Sequence, residues 1–301
     1  MTGFEACFLD PLGHSVQQRW TDAVLTVAFE DLPTVSAFPT VPGRRWGPGL
    51  WWSATTGGHV AAGSNAMRTQ LMILDRDPHV VALAGRPVRL LWHTDRGQAR
   101  SWTPQLFARY RDGTATLADC PSHAGAGGER ALQAAEAIQA ACAQVGWTYR
   151  RLQPPEEVLT ANLKWLAGYR HPRNAGRPDL MPALLDAFRR PRPLMEGAEA
   201  VGDPLRVLPA LYHALWHGHL TTSLETTLQG WAIVTAGPRD AVTAFTGRHH
   251  PKGSQDGDEA GPDSQARAAT DASTGVGVGP TPVAGTVPIG DGACGLDGEL
   301  S

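Results

Sequence analysis

The chain reads as an α/β protein, and three features of its 301 residues support this. Between residues 64 and 152 the spacing of apolar residues alternates between the helical period of 3.6 and the strand period of 2. After Pro154-Pro155 the helical period prevails until two alternating runs near 220–234. Near residue 240 the composition breaks, and large apolar residues then occur only singly. A helix, several strands, a helix and a strand, in that order, describe a compact α/β domain.

The elements follow in order. Residues 64–75 are expected to be helical, with Met67, Leu71 and Leu74 on one face and a stop at Asp77-Pro78. Residues 79–83 and 87–93 read as extended; in the second, Val88, Leu90 and Trp92 alternate with Arg89 and His93. Asp112-Gly113 is a hairpin signal between extended runs at 101–110 and 114–119. An Ala-rich helix over about 129–144 carries Leu132, Ala135, Ile138 and Cys142 as its expected buried stripe, and Gly146 closes it. Residues 147–152 read as a strand. Beyond Pro154-Pro155, Leu159, Leu163 and Leu166 share a helical face, as do Met181, Leu184, Leu185 and Phe188. Asp203-Pro204 is a cap followed by a first-turn proline. It opens a helix expected to run to Gly218, with Pro209 predicted to delay or kink it. The runs 220–224 and 228–234 suit a hairpin, and helices followed by a hairpin is the order of a winged helix.

Composition sets limits on function. Hydrophobic residues make up 42 % and charged residues 18 %, and the net charge is −3. The segment 241–301 holds eight acidic and three basic residues, so residues 1–240 carry about +2. With 12 Gly, 5 Pro and no Trp, the segment 241–301 is predicted to be disordered. The expected division is therefore 1–153 (including an N-terminal extension, 1–35), 154–240 and the tail 241–301. The cysteines Cys7, Cys120, Cys142 and Cys294 share no CxxC spacing, so a zinc ribbon or disulfide framework is not expected. They read as thiols of a reducing, cytoplasmic environment. No apolar run approaches the roughly 18 residues of a membrane span, so no membrane partner is expected.

The stretch Arg44-Arg45-Trp46-Gly47-Pro48-Gly49-Leu50-Trp51-Trp52-Ser53-Ala54-Thr55-Thr56-Gly57-Gly58-His59-Val60 resembles the TnsA-like heteromeric transposase endonuclease subunits of actinomycetes. The likeness continues through Leu71–Asp75, Asp77–Val81, Gly146–Arg151 and Ala161–Arg173, and covers about residues 20–236. It implies a restriction-endonuclease-like core followed by a helical, winged-helix-like C-terminal part. It also implies DNA and a DDE-type transposase as partners, and metal-dependent cutting at transposon ends. Such hydrolysis uses Mg²⁺ or Mn²⁺ to hold the scissile phosphate and generate the nucleophilic water. The metal needs hard oxygen ligands, usually one or two carboxylates with waters and phosphate.

This chain departs from the family pattern at most of those ligand positions. Gly63 stands where the family has a glutamate, and Met67 at the second acidic position one turn on. The Pro-Asp is Pro104-Gln105, and the acid-x-basic triplet is Asp119-Cys120-Pro121. Only Asp119 carries over. With one carboxylate left, the metal site is expected to be degenerate and no cofactor is expected. The leading expectation is a pseudoenzyme that binds DNA and a transposase. One alternative is an active endonuclease that holds its metal through displaced ligands among His59, Asp112, His123 and Glu129. Another is a winged-helix DNA-binding regulator.

Residues 150–192 carry a surplus of positive charge. Arg150, Arg151, Lys164, Arg170, Arg173, Arg177, Arg189, Arg190 and Arg192 face only Glu156, Glu157, Asp179 and Asp186, giving +5. Arginine forks suit phosphate, so all of these but Arg177 are the candidate DNA contacts. Trp51-Trp52 suits packing better than base stacking. His213 and His217 have the i, i+4 spacing of metal ligands, but with no carboxylate or Cys beside them they read as a positively charged helix C-terminus.

Overall fold

The computed structural model describes residues 3–38, 47–123 and 127–238; the predicted disordered tail lies outside the described residues. It is a mixed α/β structure with seven α-helices among the described residues. The N-terminal part contains β1 (Glu5–Leu9), β2 (Ser15–Arg19), α1 (Trp20–Thr26), β3 (Gly49–Trp52), β4 (His59–Ala62) and α2 (Asn65–Arg76). Next come β5 (Val80–Gly85), β6 (Arg89–His93), β7 (Ala99–Trp102), β8 (Leu106–Tyr110), β9 (Ala115–Asp119), α3 (Gly128–Gln144) and β10 (Thr148–Arg151). The rest is α4 (Glu157–Ala167), α5 (Leu180–Ala187), β11 (Arg192–Pro193), α6 (Leu194–Val201), α7 (Pro204–Trp216), β12 (Leu220–Thr221) and β13 (Ile233–Ala236).

The central sheet has the order β10-β9-β8-β5. β5, β8 and β9 are antiparallel neighbours, while β10 runs parallel to β9 and is reached through α3. Successive strand residues face opposite sides of a sheet. Leu83, Leu106, Ala108 and Ala118 accordingly enter one core, whereas Ala84, Phe107 and Leu117 enter another. The first core holds α2, β3, β4 and the helices after residue 156; the second holds α3, β1 and α1. Leu163, Leu211 and Trp216 therefore share an interior with Met67 and Leu71, and the expected border at 153/154 runs through a common core.

A second antiparallel sheet has the order β2-β1-β6-β7. It makes the N-terminal extension part of the fold: Trp20 and Phe29 are fully buried, and the Trp20 indole donates to the Ala141 carbonyl of α3 at 2.8 Å. Burying either ring is worth about 2–3 kcal/mol. The two runs expected as strands at 79–83 and 87–93 thus belong to different sheets.

Local chemistry explains the element ends. Ser64 caps α2, its hydroxyl accepting from the Met67 amide at 3.1 Å. Asp112 accepts from the Thr114 amide (2.9 Å) and hydroxyl (2.7 Å), and Gly113 takes φ +86° in the turn between β8 and β9. The expected hairpin strand 101–110 is shorter than read: residues 99–102 pair with β6 instead. The expected stripe of α3 holds at Ile138 and Cys142 and is corrected at Leu132 and Ala135. Leu132 is 54 % exposed, and the buried face is Ala131, Ala134, Ala137, Ile138, Ala141 and Cys142, because small side chains let the helix lie close to the sheets. Pro209 neither delays nor ends α7, which runs from Pro204; the carbonyl that proline leaves without an amide belongs to exposed Leu205. The pair 220–224 and 228–234 shrinks to β12 and β13, joined by a long loop. Asn162 shapes that loop, donating to the carbonyls of Leu224 (2.9 Å) and Thr226 (2.7 Å) and accepting from the Leu228 amide (3.0 Å).

Cys7, Cys120 and Cys142 are buried free thiols, and burial pushes Cys142 up to about 12, so it is inert. Among the described residues, no helix is long and apolar enough to cross a membrane.

Candidate functional site

Asp119 closes β9 and is 8 % exposed. Its Oδ2 accepts from the Trp102 indole at 2.7 Å and the Tyr149 hydroxyl at 2.6 Å; its Oδ1 accepts from the Gln105 amide at 3.1 Å. Burial pushes its carboxyl above the ordinary carboxylate range, against the pull of those donors. Burial and the neighbouring carboxylate together push the Tyr149 phenol up. Gln105 turns its side-chain carbonyl away from any ligand, accepting from the Cys120 amide at 2.8 Å. Gln105 and Asp119 lie together, and both are spent on internal hydrogen bonds.

The other positions expected from the resemblance to carry ligands are filled with apolar groups. Met67 is fully buried, and its sulfur accepts from the Gly63 amide at 3.3 Å. A Cβ on Gly63 would stand 1.9 Å from the Phe38 ring, so Phe38 holds the space a side chain at position 63 would need. Arg86 packs over that ring at 5.1 Å and donates to the Ala37 carbonyl at 2.9 Å. It is the one non-glycine residue with positive φ (50°) among the described residues, and the Asp119 carboxylate favours its charge against burial. Mg²⁺ or Mn²⁺ requires several hard oxygens; what stands here is one carboxylate already holding three donors, a thioether, a phenyl ring and a guanidinium. The residues do not fit the ion.

The alternative ligands do not assemble either. His59 opens β4, exposed, and Glu129 accepts from Gln133 in the first turn of α3. His123 is exposed beyond Asp119, and Asp112 lies at the opposite end of β9, about 17 Å away for five strand residues. Among the described residues, no group of three or more His, Cys, Asp or Glu is arranged to hold a metal.

Sequence reasoning missed a second buried carboxylate. Asp75, 5 % exposed, accepts from the Trp51 indole (3.1 Å), the Ser53 hydroxyl (2.6 Å), the Ala54 amide (3.0 Å) and the Thr55 amide (2.8 Å). The segments Trp51–Thr55 and Leu71–Asp75 are therefore the two halves of one hub. The signal was an Asp ending an apolar helical face, where solvent should not reach.

The candidate DNA contacts are scattered. Arg150 and Arg151 sit on β10, an edge strand, and Lys164 is exposed on α4. Arg173 and Arg190 are exposed, and Arg192 belongs to β11. Arg189 is bonded to Asp186, and Arg177 pairs with Asp179 at 2.6 Å. Arg170 is used internally: it donates to the carbonyls of Trp52 (2.7 Å) and Ala167 (2.5 Å) and lies 3.9 Å over the Trp51 ring. Trp52 packs against His171 with the rings tilted and their centroids 4.5 Å apart.

His213 is buried in α7, its Nδ1 donating to the Tyr169 carbonyl at 2.8 Å, which leaves Nε2 as a buried acceptor without a partner. Burial holds its pKa below the ordinary value, and protonation of the nearby His171 opposes its charging further. The unfolded chain binds the proton more readily. Stability from this residue is complete above about pH 6.5 and is lost as pH falls below it, by up to about 1.4 kcal/mol per pH unit. His213→Phe is expected to flatten the fall in melting temperature between pH 7 and pH 5.5 in a thermal unfolding series.

A scan against protein-family models finds no match to this chain, and no curated protein matches it.

Proposed function

We propose that the protein is a TnsA-like transposase subunit whose nuclease centre is degenerate, and that it binds DNA and a DDE-type transposase without cutting. The observation that carries this reading is the occupation of Asp119 by Trp102, Tyr149 and Gln105 while Met67 and Phe38 fill the remaining ligand space. Support for the nuclease ancestry comes from the order α2, β5, β8, β9, α3, β10, with β10 parallel to β9 and Asp119 at a strand end. Such an arrangement is expected of a restriction-endonuclease-like core.

The order α5, β11, α6, α7, β12, β13, with sheet order β11-β13-β12, suits a winged helix. The helix that would enter a groove is α7, and its second half is buried (Leu211, His213, Ala214, Leu215 and Trp216). Its first turn offers only Leu205 and Arg206 outward, a poor set for reading base edges. Phosphate contacts through Arg150, Lys164, Arg173 and Arg190 fit better, and they favour a scaffold over an operator-specific regulator.

Three measurements on the full chain test this. Supercoiled DNA with Mn²⁺ should stay intact, alone and with the cognate transposase. Duplex DNA should bind with an affinity that falls about a hundredfold from 50 to 200 mM salt, as for a handful of phosphate contacts. The transposase should be retained on the immobilised protein. Nicking that disappears in Asp119→Ala overturns the proposal.

A further inference from the structure

The second sheet ends on β7, and α3 lies beside it. Between them opens a cleft of about 310 Å³, at the small end of the range for small-molecule sites. Its walls include Trp92 of β6, Arg100 and Trp102 of β7, Asp95 of the intervening turn, and Arg130 and Glu136 of α3. The Trp102 ring is preset, because its indole N–H is held by Asp119. Arg100 is steadied by the Gln98 side chain at 2.9 Å. Neither Arg130 nor Glu136 forms an ion pair with a described residue.

These walls define a ligand. Trp102, half-buried, is the indole available to a flat ring, while Trp92 is buried and closes the wall. Arginine is a donor only and a carboxylate an acceptor only, so the cleft presents both kinds of partner to one ligand edge. The two positive and two negative side chains cancel, so a bare phosphate gains little there. A planar heterocycle with acceptors on one edge and donors on another gains most. Guanine has that pattern: O6 and N7 take an arginine fork, while N1–H and the exocyclic amine donate to a carboxylate. Thymine has no exocyclic amine, and adenine replaces O6 with a donor.

We propose that this cleft binds an unpaired guanine base stacked on Trp102, with Arg130 on its acceptor edge and Glu136 on its donor edge. The base can come from a single strand or from a free nucleotide. The strand source rests on the DNA-binding reading above; the cleft chemistry does not.

The test is fluorescence anisotropy of the full-length protein with labelled oligothymidine and with the same oligomer carrying one central dG. The dG oligomer is expected to bind about tenfold more tightly. Arg130→Ala and Glu136→Gln, both on the exposed side of α3, should each abolish that preference. They should leave circular dichroism unchanged. Replacing dG with 7-deazaguanine should weaken binding through loss of N7. Displacement of the dG oligomer by guanosine monophosphate assigns the free nucleotide as a ligand; failure to displace assigns the strand. Equal affinity for the two oligomers overturns the proposal, as does a preference that survives both substitutions. Loss of duplex binding with guanine preference intact removes the scaffold reading alone, and the converse removes the cleft alone.

Discussion

Asp75→Ala is expected to lower the free energy of unfolding by about 4 kcal/mol and the melting temperature by roughly 10 °C. Four donors converge on the carboxylate, and alanine leaves the Trp51 indole, the Ser53 hydroxyl and the amides of Ala54 and Thr55 without their acceptor. Arg170, which lies over Trp51 and interacts electrostatically with Asp75, loses its counter-charge in the same step. Asp75→Asn keeps one acceptor oxygen and should cost about half as much. Denaturant titration followed by circular dichroism measures both. A loss under about 1 kcal/mol in the alanine variant would show that the hub is dispensable.

The second large effect concerns rebuilding the metal centre. Gly63→Glu, Gln105→Asp and Pro121→Lys together restore three of the residue types that the family resemblance implies, with Met67 left in place. This triple variant is expected to show no Mn²⁺-dependent nicking above wild type, because Phe38 occupies the space beside residue 63. It should also be less stable, since overpacking of this kind costs about 1–3 kcal/mol. Adding Phe38→Ala opens that space, and nicking of supercoiled DNA should then rise about a hundredfold over the triple variant. Cutting by the triple variant itself would show that Phe38 does not block the centre.

Much of the fold was legible because periodicity and turn chemistry are local. The Ser64 cap, the Asp112-Gly113 turn and the Asp203-Pro204 start all act within a few residues. The stripe of α3 was misread because Leu132 is the larger hydrophobe, while burial there follows closeness of approach and favours alanine. The first 62 residues were opaque for another reason: β1 pairs with β6, more than eighty positions on, and no short-range pattern encodes such a partner. At the site, Gly63, Met67 and Gln105 stand where the resemblance implies acids, and that is read directly from the sequence. That Trp102 and Tyr149 hold Asp119 could not, since the three meet only when β7, β9 and β10 are assembled.

The common interior of α2 and the later helices has a consequence for inheritance. Genetic exchange that grafts a foreign ending after residue 153 would strip Met67, Leu71 and Trp51 of Leu163, Leu211 and Trp216. Water would then meet a surface selected to be dry. A lineage carrying this protein can diversify along its rims and loops, but its front and back must travel as one heritable block.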